Sequence, residues 1–166
     1  MAAVTANITN RLDKEISNIV KRSSFDKSFV FSKKDITYSD FLSNKMLMVF
    51  VIREGVPYSL FNLIQHFTPF TEDNWADFLD ISTKSLHRYK QTSKSFKSIH
   101  SEKIIEMSEV TKVGLDVFGE MEKFKLWLET PNFSLGNLKP LDLLKDSYGK
   151  ELVISELTRI NYGILV

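Results

Sequence analysis

Pro131-Asn132-Phe133-Ser134-Leu135-Gly136-Asn137-Leu138-Lys139-Pro140-Leu141-Asp142-Leu143-Leu144 is the stretch on which the reading of this chain turns. Pro131 cannot extend a helix arriving from upstream, because proline lacks the backbone donor and its ring clashes with the preceding turn. Gly136-Asn137 suits a turn with positive φ. Pro140 then fits the first turn of a short helix running to Leu144. Working outward, Phe124, Trp127 and Leu128 form the apolar face of a helix that Pro131-Asn132 closes, with Trp127 read as core. Further upstream, Ile104, Met107, Thr111, Leu115 and Phe118 recur at helical spacing, opened at Ser101-Glu102 and closed by Gly119. Downstream, Asp146 or Ser147 is positioned to cap a last helix whose apolar face is Leu152, Val153, Leu157 and Ile160, ended by Gly163. Leu135, beside the turn, is expected as an exposed anchor. Ile164-Leu165-Val166 is an apolar tip suited either to packing or to a partner.

A second pattern lies at residues 71–90. Thr71-Glu72-Asp73-Asn74 is a helix start, a hydroxyl followed by carboxylates that favour the positive end of the helix dipole. Trp75, Ala76, Leu79, Ile81, Leu86 and Tyr89 then fall where a helix-turn-helix buries its residues. Asp80 occupies the turn position where glycine is commonest, a substitution aspartate tolerates better than most residues. Ser82-Thr83 would cap the second helix, whose outer face carries Lys84, Ser85, His87, Arg88 and Lys90, followed by Lys94 and Lys97. From Thr83 to His100 there is no Asp or Glu. An acid-free window of this kind is a candidate phosphate-facing patch, although the same lysines also suit an ordinary solvated helix.

Toward the amino terminus, Ile8, Leu12, Ile16, Ile19 and Val20 share one face of a helix, which packs on its own domain or meets a second copy. Phe29-Val30-Phe31 is a candidate short strand. Met46 to Ile52 is apolar on every side, and periodicity alone does not choose between buried strand and buried helix. Gly55 and Pro57 end it, after which helical spacing resumes from Tyr58 to Phe67. The expected fold is mainly α, with possible short strands near the amino terminus. Its expected division is an amino-terminal arm over 1–54, a helix-turn-helix region over 55–100 and a small helical domain over 101–166.

Composition narrows the function classes. With 43% hydrophobic and 12% aromatic residues the chain has the make-up of a folded protein, and the formal charge of +1 supplies no global attraction to nucleic acid, so any such binding needs a local patch. The absence of cysteine removes disulfides and thiolate metal sites and fits a reducing cytoplasm. The first residues show no basic region followed by an apolar run, and the apolar run 46–52 is far too short for a bilayer. His66, His87 and His100 lack metal-ligand spacing. Gly114-Leu115-Asp116-Val117-Phe118-Gly119 mimics a phosphate loop, but Glu120 stands where lysine is needed. There is no nucleophile elbow. No catalytic, metal or cofactor site is expected.

Taken in order, Ser101-Glu102-Lys103, Ser108-Glu109-Val110, Val117-Phe118-Gly119, Trp127-Leu128, Pro131-Asn132, Leu135-Gly136-Asn137, Pro140-Leu141-Asp142-Leu143-Leu144, Gly149, and Arg159-Ile160 with Gly163 resemble the Xre/MbcA/ParS-type antitoxins paired with RES-domain toxins. The resemblance runs from about Gly55 to the end; Glu102-Lys103, Ser108-Glu109 and Asn137 depart from the family pattern. It implies an antitoxin that binds and occludes a cognate RES-domain toxin, an enzyme that degrades NAD. It also implies repression of its own operon through operator DNA, and a homodimer within the toxin–antitoxin complex. On this reading Thr83, Lys84, Ser85, His87, Arg88, Lys90 and Lys94 face DNA, and Leu135, Gly136, Asn137, Lys139, Arg159, Tyr162, Gly163 and Val166 face the toxin. The other class that fits is a stand-alone helix-turn-helix regulator with a helical dimerisation domain.

Overall fold

A computed structural model describes the backbone of residues 2–22 and 35–163, and within them the side chains from residue 7 onward. The expected strand at Phe29-Val30-Phe31 and the tip Ile164-Leu165-Val166 lie outside the described residues. The helices follow in the order α1 (Ala2–Arg22), α2 (Tyr38–Ser43), α3 (Lys45–Glu54), α4 (Tyr58–Phe67), α5 (Glu72–Phe78), α6 (Thr83–Thr92), α7 (Ser98–Phe118), α8 (Met121–Glu129), a 3-10 turn at Phe133–Leu135, α9 (Pro140–Leu143) and α10 (Ser147–Asn161). Among the described residues, strand-like pairing is confined to isolated bridges between Pro57 and Ser95 and between Asn132 and Leu138. The fold is all-α.

The chain forms two compact units, one of Met1–Phe67 with Thr83–Ile105 and one of Thr68–Ser82 with Glu106–Val166. These limits differ from a division at residues 54 and 100. The chemistry at Ser101 explains the second difference. This residue does not open a helix: α7 begins three residues earlier, at Ser98, and Ser101 is fully buried within its first turns. Its hydroxyl accepts a hydrogen bond from Val56 N at 2.8 Å and donates to Phe96 O at 3.3 Å.

In the first unit, α1 packs on α4 and α2. Leu12 and Ile16 are fully buried, so the apolar stripe of α1 is used within its own unit. Two polar ties fix the entry to α2: Asp13 accepts from Tyr38 N at 2.7 Å, and the Ser17 hydroxyl donates to Ile36 O at 2.9 Å. The ambiguous run Met46 to Ile52 is helical, in α3, because its ends carry helix signals. Asn44 Oδ1 caps it by accepting from Leu47 N at 3.0 Å, and Gly55, at φ 93°, closes it. A β-carbon on Gly55 would also press on the Phe96 carbonyl. Phe96 joins this core through Phe61, at 4.9 Å between ring centroids, and Tyr89 of α6 stacks on it at 4.1 Å.

In the second unit, α5 is capped by the Thr71 hydroxyl and Asn74, each side chain accepting from the other residue's backbone N–H. Phe70, Trp75 and Phe78 meet edge to face with centroids 5.1–6.0 Å apart, a preferred aromatic geometry. Met107 and Val110 of α7, Phe124 and Leu128 of α8, and Val153 and Leu157 of α10 are buried to within 1%. Each stabilises the fold by roughly 1.5–3 kcal/mol of transfer free energy. α9 packs on both α8 and α10, and the 3-10 turn packs on α10. Lys145 pairs with Asp77 at 3.0 Å, and that hydrogen bond and charge raise the Lys145 pKa above the usual lysine value.

Candidate functional site: a basic helix and an apolar helix face

The turn from α5 to α6 is a Schellman motif. Ile81 N donates to Ala76 O at 3.1 Å and Asp80 N to Asp77 O at 3.2 Å, with Asp80 at φ 51° in the position that usually holds glycine. Leu79 is buried on the approach, and Leu86, at 3% exposure, anchors α6 from within. Leu86 and the stacked Tyr89 define the inner side of α6, so Lys84, His87 and Arg88, at i, i+3 and i+4, share the outer side and are exposed. Lys90, Lys94 and Lys97 are exposed as well, while Thr83 and Ser85 are half-buried. Every cation expected on this face is open to solvent.

The loop 131–139 is organised by one residue, Asn132. Its side-chain oxygen accepts from Ser134 N at 2.9 Å, its carbonyl accepts from Leu135 N at 3.1 Å and Asn137 N at 2.9 Å, and its own N–H donates to Leu138 O at 3.0 Å. Gly136 and Asn137 take positive φ, 68° and 59°. This geometry corrects the expectation for Leu135, which is buried at 8% exposure. The 3-10 turn rotates Leu135 inward as the pin of the loop and sends Phe133 outward, 79% exposed, with Leu138 at 52%. Gly136, Asn137 and Lys139 are exposed as expected.

On α10, capped by Asp146 through Gly149 N at 2.7 Å, a second correction follows. Leu152, expected on the inner face, is 54% exposed, while Gly149, Val153, Glu156 and Leu157 face inward. The inner stripe therefore lies about 100° round the helix from Leu152, and a glycine and a carboxylate occupy places that an apolar count passes over. Tyr148, Leu152, Arg159 and Tyr162 fall at i, i+4, i+11 and i+14, one outward stripe. Tyr148 is 83% and Tyr162 75% exposed, and Arg159 Nη1 donates to the buried Glu156 Oε2 at 3.1 Å. Sequence reasoning missed Phe133, Leu138 and Tyr148; the spacing of Tyr148 and Leu152 with Tyr162 was the available signal. Val166 lies outside the described residues.

Among the described residues no group of three or more His, Cys, Asp or Glu gathers as a metal site, and no helix is long and apolar enough to cross a membrane. What the described residues do present is an all-helical fold with exposed cations on α6 and exposed apolar and aromatic side chains on the carboxy-terminal helices. Residues 114–163 match the family model of the antitoxin Xre/MbcA/ParS C-terminal toxin-binding domain, which bears out over that segment the resemblance read from the sequence. Among solved structures, the chain is similar to one in the crystal structure of the M. tuberculosis MbcT–MbcA toxin–antitoxin complex. The identity is 23% and the TM-score 0.49, covering 58% of this chain and 86% of that chain. No curated protein matches.

Proposed function

We propose that this chain is the antitoxin of a toxin–antitoxin pair, binding a protein toxin through its carboxy-terminal helices. The observation that carries the reading is the match of residues 114–163 to an antitoxin toxin-binding domain. The same segment leaves large apolar side chains in solvent, among them Leu126, Phe133, Tyr148 and Tyr162, at 68–83% exposure. Exposed aromatic and arginine side chains near one another are the composition of protein-binding hot spots.

The toxin of the pair is a RES-domain enzyme that consumes NAD, and its inhibition is steric. The resemblance across residues 55–166 supports this reading. The basic face of α6, with Lys84, His87, Arg88 and Lys90, and Lys94 just beyond the helix, contacting phosphates and base edges and Thr83 and Ser85 at the helix start, binds operator DNA and represses the antitoxin's own operon. The chain acts as a homodimer within the complex. Its support on the DNA side is the acid-free window Thr83 to His100 together with the exposure of its cations.

Co-expression tests this directly. The product of the reading frame beside this chain's gene, induced alone, is expected to arrest growth and lower cellular NAD. Induced with this chain it is expected to co-purify with it and leave NAD unchanged. A neighbouring product that neither binds the chain nor depletes NAD refutes the RES-toxin reading.

A further inference from the structure

Resting on the reading of α6 as a DNA-binding helix, we infer that the segment joining α6 to α7 is a second phosphate contact, made by Lys94 and Lys97, and that the buried Ser101 hydroxyl positions it. α6 is ten residues long, about 15 Å, and the major groove of DNA is about 12 Å wide. Cations just past its end therefore meet phosphates that those on its first turn do not reach. Lys94 and Lys97 are exposed on either side of Phe96, which is buried, and no Asp or Glu occurs from Thr83 to His100.

Ordering a loose segment on binding subtracts from affinity. Here the segment is ordered in advance. Ser93, at φ 49°, turns the chain out of α6, Ser95 pairs with Pro57 in an isolated antiparallel bridge, and Phe96 N donates to Val56 O at 2.8 Å. Ser101 completes the link from the other side: Val56 N donates to its hydroxyl at 2.8 Å, and the hydroxyl donates to Phe96 O at 3.3 Å. Val56 and Phe96 are thus joined twice, once directly and once through Ser101. The Ser101 N–H is already bonded to Lys97 O at 2.9 Å, so the hydroxyl is not needed to hold its own helix. Tyr89 of α6 stacks on the Phe96 ring at 4.1 Å, which ties the helix to the same anchor. Alanine at 101 would take a partner from Val56 N, a donor on a fully buried residue, and release the Phe96 carbonyl with it. Ser101 touches no DNA; it acts through Phe96 on the lysines to either side.

The test uses the full chain and a fluorescein-labelled duplex of the promoter upstream of its own reading frame. Affinity is read by anisotropy across a salt series, and folding by circular dichroism and thermal unfolding. Lys94→Ala with Lys97→Ala is expected to leave the unfolding midpoint in place, lower the log–log salt slope by about 2 and weaken binding equally on promoter and scrambled duplexes. Ser101→Ala, at a temperature where it is fully folded, is expected to lower the slope in the same direction. Added to the lysine pair, it is expected to weaken binding no further, since both changes remove the same contact. Additive losses, or a Ser101→Ala variant with a lowered midpoint and the wild-type slope, would make Ser101 a core residue alone and overturn its positioning role. A lysine pair that leaves the slope unchanged overturns the whole inference, whether or not the serine variant folds. The α6 reading then still stands if Arg88→Glu with Lys90→Glu abolishes binding. A wild-type chain that binds neither duplex overturns both.

Discussion

Backbone geometry at single residues carries much of this architecture. Gly149 sits in the first turn of α10, where a β-carbon would overlap the backbone carbonyl of Leu143 at the end of α9. Backbone gives way less readily than a side-chain tip, so Gly149→Ala must push α9 and α10 apart. Overpacking of this kind costs roughly 1–3 kcal/mol. Thermal unfolding is expected to show a midpoint lowered by several degrees, with toxin affinity reduced alongside because the α10 face shifts. Asp80 is the converse case. At φ 51° it holds a left-handed conformation that L-residues adopt at a cost, and it does so within a complete Schellman motif. Asp80→Gly is expected to stabilise the chain, by about 0.5–1 kcal/mol, without altering any surface. An unfolding midpoint that stays level or falls would mean that the Asp80 side chain stabilises this turn by more than its backbone strain costs.

At the level of elements, α6 concentrates the argument for DNA. Its outer cations are exposed, its inner side is fixed by Leu86 and Tyr89, and no carboxylate interrupts the window from Thr83 to His100. Phosphate contacts release condensed counterions, so affinity for operator DNA is expected to fall steeply with salt, by about 0.9 in log–log slope per contact. Arg88→Glu with Lys90→Glu is expected to abolish binding at about 0.15 M salt, read by fluorescence anisotropy on the promoter fragment. Binding that ignores both salt and charge reversal would contradict a phosphate-facing role. α6 was legible in the sequence because its two signals, helical periodicity and missing acids, are local. α5, α8 and the caps of α9 and α10 were legible for the same reason: Thr71, Pro131, Pro140 and Asp146 act on their own neighbours. What local pattern could not supply was direction. Leu135 and Phe133 are two residues apart in one turn, and only the fold of the 3-10 turn decides which goes inward. Leu152 lost its expected inner place because Gly149 and Glu156 took the inner stripe, one by close approach to Leu143 and the other by pairing with Arg159. Ser101 looked like a cap, yet its hydroxyl serves a backbone donor forty-five positions away, which no window of sequence contains.

For the whole molecule, a formal charge of +1 separates the two proposed activities by their physics. DNA binding draws on a local basic face and must weaken with salt, whereas toxin binding draws on exposed apolar groups and must largely survive it. The carboxy-terminal end allows the second activity to be removed by itself. α10 ends with Tyr162 N bonded to Thr158 O at 3.1 Å and Gly163 in a left-handed turn, and Tyr162 is 75% exposed. A chain ending at Asn161 therefore keeps the buried residues of α10 and loses Tyr162 and Gly163 together with Ile164, Leu165 and Val166. It is expected to unfold within a few degrees of the full chain and to retain salt-sensitive DNA binding. It is also expected to bind the toxin at least about tenfold more weakly, since loss of a hot-spot aromatic costs on the order of 2 kcal/mol. In cells that difference is read as growth arrest and NAD loss when toxin and shortened chain are induced together. Full neutralisation by the shortened chain would show that residues 162–166 take no part in toxin binding.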